Sequence, residues 1–409
     1  MSLLLRNATV LDVDRGSLAA NRSVLIEGER IVDIGGPEVT STQAQEYDLR
    51  GQVLMPGLID AHVHVTAVTA DLVALPEWSP AYVTARAARV LSGMLQRGFT
   101  TVRDMGGADY GLAAAVEEGY LEGPRIIFCG KALSQTGGHG DMRGRGRNMP
   151  FDGSCCPGLG TVCDGPEAVR LAARHEIRRG AHHIKLMLSG GVASPTDRVD
   201  STQFSMDEIR AAVEEAEAAG IYVAGHAYTS RAINRGLRAG VRSIEHGNLM
   251  DESSIPLFQE TGAFYVPTLA TYSALAASGR EQGLPDSSYR KVFDVLDAGL
   301  DALDLAHKAG IPIAYGTDLL GGMHEDQLTE FTLRLKVQPS ADILRSATTV
   351  GARLINMEGQ VGLVAPGAYA DLLVLDGNPL EDIALLTTPE RSLKMIVSRG
   401  RVVRSLLDS

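Results

Sequence analysis

Apolar and polar positions change rhythm along the chain, and the changes divide its 409 residues into two ends of one kind and a middle of another. Near the start, runs rich in Val, Ile and Leu occupy 3–12, 23–26 and 30–34, punctuated by Gly28-Glu29 and Gly35-Gly36-Pro37. Short β-branched runs between turn residues predict strands. The far end has the same texture. Ala370-Asp371-Leu372-Leu373-Val374-Leu375 closes on Asp376-Gly377-Asn378-Pro379, and Lys394-Met395-Ile396-Val397-Ser398 and Val402-Val403 flank Gly400-Arg401. These ends predict one small β-sandwich domain built from both termini, residues 1–55 plus 359–409, around a separate domain at 56–358.

The middle alternates. Eight near-continuous apolar strands fall at 57–65, 100–105, 125–131, 183–188, 222–226, 243–246, 263–269 and 311–317. Helical periodicity lies between most of them, clearest at 81–96, 166–179, 205–219 and 287–309. Ser205-Met206-Asp207-Glu208 has the capping-box pattern of a helix start. Short apolar strands alternating with helices predict a parallel sheet covered on both faces. Eight such units over roughly 300 residues predict the α/β class and a (β/α)8 TIM barrel. An open doubly wound sheet is the alternative, but no Gly-x-Gly-x-x-Gly turn follows the first strand.

In such a barrel, functional side chains sit at the C-terminal ends of strands. The first strand ends in Asp60-Ala61-His62-Val63-His64. Side chains alternate faces along a strand, so His62 and His64 point the same way. They can share one metal ion, or simply close the strand. Asp60 has the same phase and is a candidate acceptor behind them. His226, His246 and Asp318 end the fifth, sixth and eighth strands. Each alone reads as a helix cap or a loop contact. Lys185 lies inside the apolar fourth strand, where an unpaired ammonium is costly, so it must be paired, neutral or modified. Together they bring four imidazoles, one carboxylate and an anomalous lysine to one barrel mouth. That set suits zinc or another borderline divalent ion.

Charge narrows the partners. A net charge of -12 and a pI near 5.3 give no basic face for nucleic acid or an anionic membrane. No apolar run is long enough to span a bilayer. Met1-Ser2-Leu3-Leu4-Leu5-Arg6 lacks the features of a signal peptide. Cys129, Cys155, Cys156 and Cys163 contain no Cys-x-x-Cys pair. A cytoplasmic protein with reduced thiols is expected, a zinc knuckle being the alternative.

As an ordered set, several stretches carry a resemblance. They are Pro56-Gly57-Leu58-Ile59-Asp60-Ala61-His62-Val63-His64, the Lys185 strand, the His226 and His246 strand ends, Gly316-Thr317-Asp318, and Pro366-Gly367-Ala368-Tyr369-Ala370-Asp371-Leu372. The chain resembles the metal-dependent amidohydrolase superfamily, and within it the imidazolonepropionase-related branch with Xaa-Pro dipeptidases (prolidases) and related metallo-carboxypeptidases. The likeness covers nearly the whole chain and implies a two-metal centre. His62, His64 and Asp318 would hold a buried ion, and His226 and His246 an exposed one. Lys185, as its carbamate, would bridge the two divalent ions, expected to be zinc. The implied reaction is attack of a metal-bridging hydroxide on an amide carbonyl, with Asp318 carrying the proton to the leaving amine. Mononuclear deaminases of the superfamily have no carboxylated lysine on the fourth strand, so Lys185 favours hydrolysis.

Residues 132–165 are rich in Gly and Arg and predict either a functional lid or a solvated loop. They include Gln135-Thr136-Gly137-Gly138-His139-Gly140 with Arg143, Arg145 and Arg147. The resemblance puts His139 near the substrate, and Tyr228, two residues past His226, should face the same pocket. Such groups bind a substrate carboxylate or stabilise an oxyanion. Arg103 and Asp104 end the second strand, as an ion pair or as a substrate contact. The expected substrate is a small molecule: a dipeptide, Xaa-Pro or with an apolar C-terminal residue, or an N-acyl amino acid. Cleavage before Arg or Lys, hydrolysis of lactones or phosphotriesters, and a catalytically silent scaffold protein are the alternatives. A homo-oligomer is expected.

Overall fold

The fold is that of a computed structural model, which describes residues 2–148 and 156–407. Strands from both termini pair into one mixed, eight-stranded sheet. Its order runs from Arg401–Ser405 through Leu393–Ser398, Leu372–Leu375, Val53–Pro56, Ser2–Asp12 and Ser17–Glu27 to Arg30–Gly35, with Gln45–Asp48 also on Ser2–Asp12. The termini are joined where Val53–Pro56 lies antiparallel to Leu372–Leu375. The two layers expected of a sandwich are parts of this one curled sheet. Its far edge returns to the stretch before Leu372, where the Ile31 N–H donates to the Ala368 carbonyl at 2.9 Å. Leu3, Leu5, Val24, Ile26, Leu372, Val374, Met395 and Val397 fill the curl.

The middle is a parallel barrel. Leu58–Val63, Phe99–Asp104 and Arg125–Phe128 pair in order. His183–Met187, Tyr222–Thr229, Ser243–Leu249 and Phe264–Val266 form the other run. The third expected strand, 125–131, is split. Gly130 turns left-handed at φ +73°, and the strand resumes as Ala132–Ser134, which pairs with His183–Met187 and with Gly160–Val162. The supposed 132–165 loop therefore carries two short strands.

The eighth strand, 311–317, closes the barrel with little regular pairing. Pro312 has no N–H, a single parallel bridge joins Tyr265 to Ile313, and the N–H groups of Thr317 and Asp318 both donate to the His62 carbonyl, at 3.2 and 2.8 Å. The expected helix at 287–309 is broken into Asp286–Val292 and Ala298–Lys308. Between them, the Asn248 amide takes the Val295 carbonyl at 3.0 Å, which an uninterrupted helix would use itself. Helices Pro80–Gln96, Pro166–Arg178 and Met206–Ala218 match expectation, and Ser205 and Glu208 form the capping box. No helix among the described residues is long and apolar enough to cross a membrane.

Candidate active site

Each strand-end histidine has one ring nitrogen committed to a partner behind it. His62 Nδ1 lies 2.8 Å from Glu245 Oε2, and His64 Nδ1 lies 2.9 Å from the Gly106 carbonyl. His226 Nε2 is 3.1 Å from the Gly190 carbonyl, and His246 Nδ1 is 2.8 Å from Thr268 Oγ1. Carboxylates and carbonyls only accept, so the nitrogens facing them carry protons. The opposite nitrogens, Nε2 of His62 and His64 and Nδ1 of His226, are the ones available as ligands.

These rings converge. The His62 and His246 centroids are 4.8 Å apart, and those of His226 and His246 are 4.6 Å apart. Asp318 Oδ1 sits 3.4 Å from His62 Nε2 and 3.2 Å from His64 Nε2. Lone pairs aimed at one another repel unless a cation lies between them. His62 Nε2 is also buried with no hydrogen-bond partner. His62, His246 and Asp318 offer ligand atoms that all lie within 4.8 Å of one another. The donor set therefore fits a metal ion. Asp318 reaches it from a left-handed backbone, φ +54°, at the end of the irregular eighth strand.

Lys185 is 1% exposed. Burial lowers its pKa to about 8, against the pull of Glu245 and Asp318. The interior below is charged as well. Arg103 donates from Nη2 to Glu245 Oε1 at 2.8 Å and to Oε2 at 2.9 Å, and both residues are fully buried. Arg103 is thus an ion-pair partner, the first of the two roles its sequence left open. Burial alone would raise Glu245; Arg103 and His62 more than offset it, and the carboxyl lies well below its usual range. Asp104 instead accepts the N–H groups of Val65, Gly106 and Ala108.

Asp60 does not stand behind the imidazoles as expected. It accepts the His62 backbone N–H at 3.1 Å, the Thr317 hydroxyl at 2.7 Å and the Gln327 amide at 2.8 Å. It ties the first strand to the eighth, next to Asp318, and burial raises its pKa to about 6. Glu245 has the orienting part given to Asp60. The clue was present in Ile244-Glu245-His246, an acid inside an apolar strand.

His139 and Tyr228 both reach the site. The His139 ring stacks on His226 at 4.2 Å, and burial lowers its pKa to about 4. Tyr228 meets His226 edge-on at 5.0 Å. Its oxygen accepts the Tyr272 hydroxyl at 2.9 Å, a residue with no sequence signal. The arginines go elsewhere. Arg143 pairs with Asp141 of its own loop, both nitrogens at 2.7 Å, Arg147 pairs with Glu77, and Arg145 is exposed. Cys129, Cys156 and Cys163 are free thiols, and Cys155 of the proposed cysteine group lies outside the described residues.

Known proteins share this architecture. The model of the amidohydrolase family matches residues 53–403. Over 388 residues the chain is 34% identical to ochratoxinase from Aspergillus niger, covering 90% of this chain and 80% of that one. A crystal structure of a prolidase complexed with N-methylphosphonate-L-proline has 50% identity and a TM-score of 0.96, covering 99% of this chain and 100% of that one. A Xaa-Pro dipeptidase with bound methionine in its active site has 30% identity and a TM-score of 0.87, covering 99% and 100%. The chain belongs to the amidohydrolase family and is a hydrolase.

Proposed function

We propose that this protein is a binuclear metal-dependent hydrolase that cleaves the amide bond of dipeptides, Xaa-Pro first among them. The observation that carries this reading is Lys185, buried and near enough to Asp318, His226 and His246 for its charge to act on each. A lysine with its pKa lowered to about 8 is neutral often enough to take up carbon dioxide. The resulting carbamate is an anion with two ligand oxygens, which removes the cost of the buried amine. His62, His64 and Asp318 would then hold one divalent ion and His226 and His246 the other, with the Lys185 carbamate as a further anionic ligand. Zinc suits this nitrogen-rich set. When bound, such ions polarise a carbonyl and lower the pKa of the attacking water.

The chain's own residues do the rest. The Asp318 carboxylate takes the proton of that water and passes it to the leaving nitrogen. Tyr228 accepts from Tyr272, so its own proton is free for a substrate carboxylate or the developing oxyanion. His139 borders the substrate from above His226. The likeness to a prolidase complexed with a phosphonate of L-proline, and to a Xaa-Pro dipeptidase, supports proline on the leaving side. The likeness to ochratoxinase adds ochratoxin as a second test substrate.

A dipeptide library with released amino acid as the readout tests the proposal. Xaa-Pro and dipeptides with an apolar C-terminal residue are expected to be cleaved. Their C-terminal amides should be poorer by about 10-fold or more, the effect of one lost hydrogen bond to an ionised group. Metal-replete protein that releases no amino acid from any dipeptide would refute it.

A further inference from the structure

Helix Pro80–Gln96, which Arg97 caps, carries a basic stripe that neither the fold nor the active site uses. Arg86, Arg89, Gly93 and Arg97 recur three or four positions apart, so they share one face. That face lines a cavity of ≈ 310 Å³, with Gly321 and Glu325 on the opposite wall. The opposite wall belongs to the 3-10 helix Gly321–Leu328, which starts three residues after Asp318. The chain has 50 acidic residues against 38 Lys and Arg, so carboxylates are plentiful. Yet among the described residues none of these three arginines has a carboxylate oxygen within 4.0 Å. Glu325 attracts Arg97 across the cavity without touching it. Arg86 rests over the rings of Trp78 and Tyr82, at 5.6 and 5.7 Å, which steadies it. A Cβ added at Gly93 would lie 3.2 Å from Arg97 Nη1, so a side chain there would crowd the guanidinium. Glycine is a poor helix former, and in this helix it leaves that space open.

We propose that this cavity binds a phosphate group and that Arg97 carries its presence to the active site. Guanidinium forks bond phosphate oxygens in pairs. Three arginines against one glutamate leave two positive charges, which a phosphate dianion balances and a carboxylate only halves. Inorganic phosphate and the phosphate of a small monoester present the same group.

The route inward is a chain of hydrogen bonds. Arg97 Nε donates to Gln327 Oε1 at 3.1 Å, which leaves its two terminal nitrogens for the anion. The Gln327 amide donates to Asp60 Oδ2 at 2.8 Å. Asp60 in turn holds the Thr317 hydroxyl at 2.7 Å and the Thr317 N–H at 3.2 Å. A phosphate on the terminal nitrogens therefore fixes the plane of the guanidinium. It thereby fixes the amide that ties the first strand to the eighth, beside Asp318.

The site is tested by calorimetric titration of the purified enzyme with inorganic phosphate and, separately, with glycerol phosphate, at constant ionic strength. At least one should bind, and the tighter of the two identifies the source of the group. The double variant Arg86→Ala/Arg89→Ala should weaken that binding by about 100-fold, a factor of about 10 for each lost charged hydrogen bond. Phosphate held by metal ions, or an adventitious ion only, would bind wild type and the double variant alike. That result, or no binding to wild type, overturns the site. The route is tested by amide hydrogen exchange over residues 311–320. Phosphate should slow exchange there in wild type. In Gln327→Met, which keeps the volume, phosphate should still bind but leave exchange unchanged. Arg97→Lys, which keeps the charge and loses the fork, should also uncouple the two. Slowing that persists in both variants, or that is absent from wild type, overturns the route. Neither readout depends on which substrate the enzyme cleaves.

Discussion

In the terminal sheet the fully buried side chains include Leu3, Leu5, Val24, Ile26, Leu372 and Val374; at the barrel mouth they include Asp60, Arg103 and Glu245, with His62 and Lys185 only 1% exposed. Burial is equally complete in both regions, but its requirements differ. An apolar side chain needs only neighbours of the right volume, and alternation along its own strand supplies them. A buried ionisable group needs a specific partner. At the barrel mouth that partner lies far away in the chain: Glu245 serves His62 from 183 positions along. Substitutions in the sheet should therefore cost stability alone. At the mouth, stability, metal binding and turnover are carried by overlapping residues.

Glu245→Ala should break the contrast most severely. It leaves Arg103 buried and unpaired and frees the His62 ring, with a loss of about 3–5 kcal/mol of stability. Denaturant unfolding and metal analysis should register both losses together, and a variant as stable as wild type would show that the pair is dispensable. Leu372→Ala in the terminal sheet is the matched control. A loss of about 2–5 kcal/mol is expected, with kcat of the folded protein unchanged. A fall in kcat there would mean that the sheet shapes the site.

Asp318→Asn sharpens the comparison from the other side. Turnover should fall by about 100-fold or more, the scale of a lost acid–base catalyst. Metal content should fall much less, and near-normal turnover at full metal occupancy would remove Asp318 from proton transfer.

The smallest effect concerns a buried acid of the barrel away from the metal ligands. Glu330 is fully buried, accepts the Ala270 N–H at 2.7 Å, and burial raises its pKa to about 7. The folded protein holds this proton more tightly than the unfolded chain does. The stabilisation is complete below the ordinary carboxyl range and is lost as pH rises through about 7. The loss is about 3 kcal/mol over the whole window. Glu330→Gln should flatten that part of the stability profile, measured by unfolding at pH 5 and pH 8. Parallel profiles for the two proteins would place the titration elsewhere.

How much could be read in advance follows from the same contrast. The barrel strands, the two β-rich ends, and the convergence of His62, His64, His226, His246 and Asp318 follow from local periodicity and strand-end position. What stayed hidden depends on contacts across the chain. Arg103 gave no sign of choosing Glu245. Asp60 had the right phase to support the histidines, yet Thr317 and Gln327 compete for it from the eighth unit. Helix 287–309 was read as continuous because nothing in its own sequence reveals that Asn248 takes the Val295 carbonyl.

The proposal that Lys185 organises a pair of metal ions is tested most directly by elemental analysis of metal-replete protein, wild type beside Lys185→Ala. Wild type should hold about two divalent ions per chain, with Lys185 heavier by one carbon dioxide in an intact-mass measurement under native conditions. Lys185→Ala should lose metal and activity together, and short carboxylic acids should restore part of each. One ion or fewer in wild type, with an unmodified Lys185, would contradict the binuclear centre.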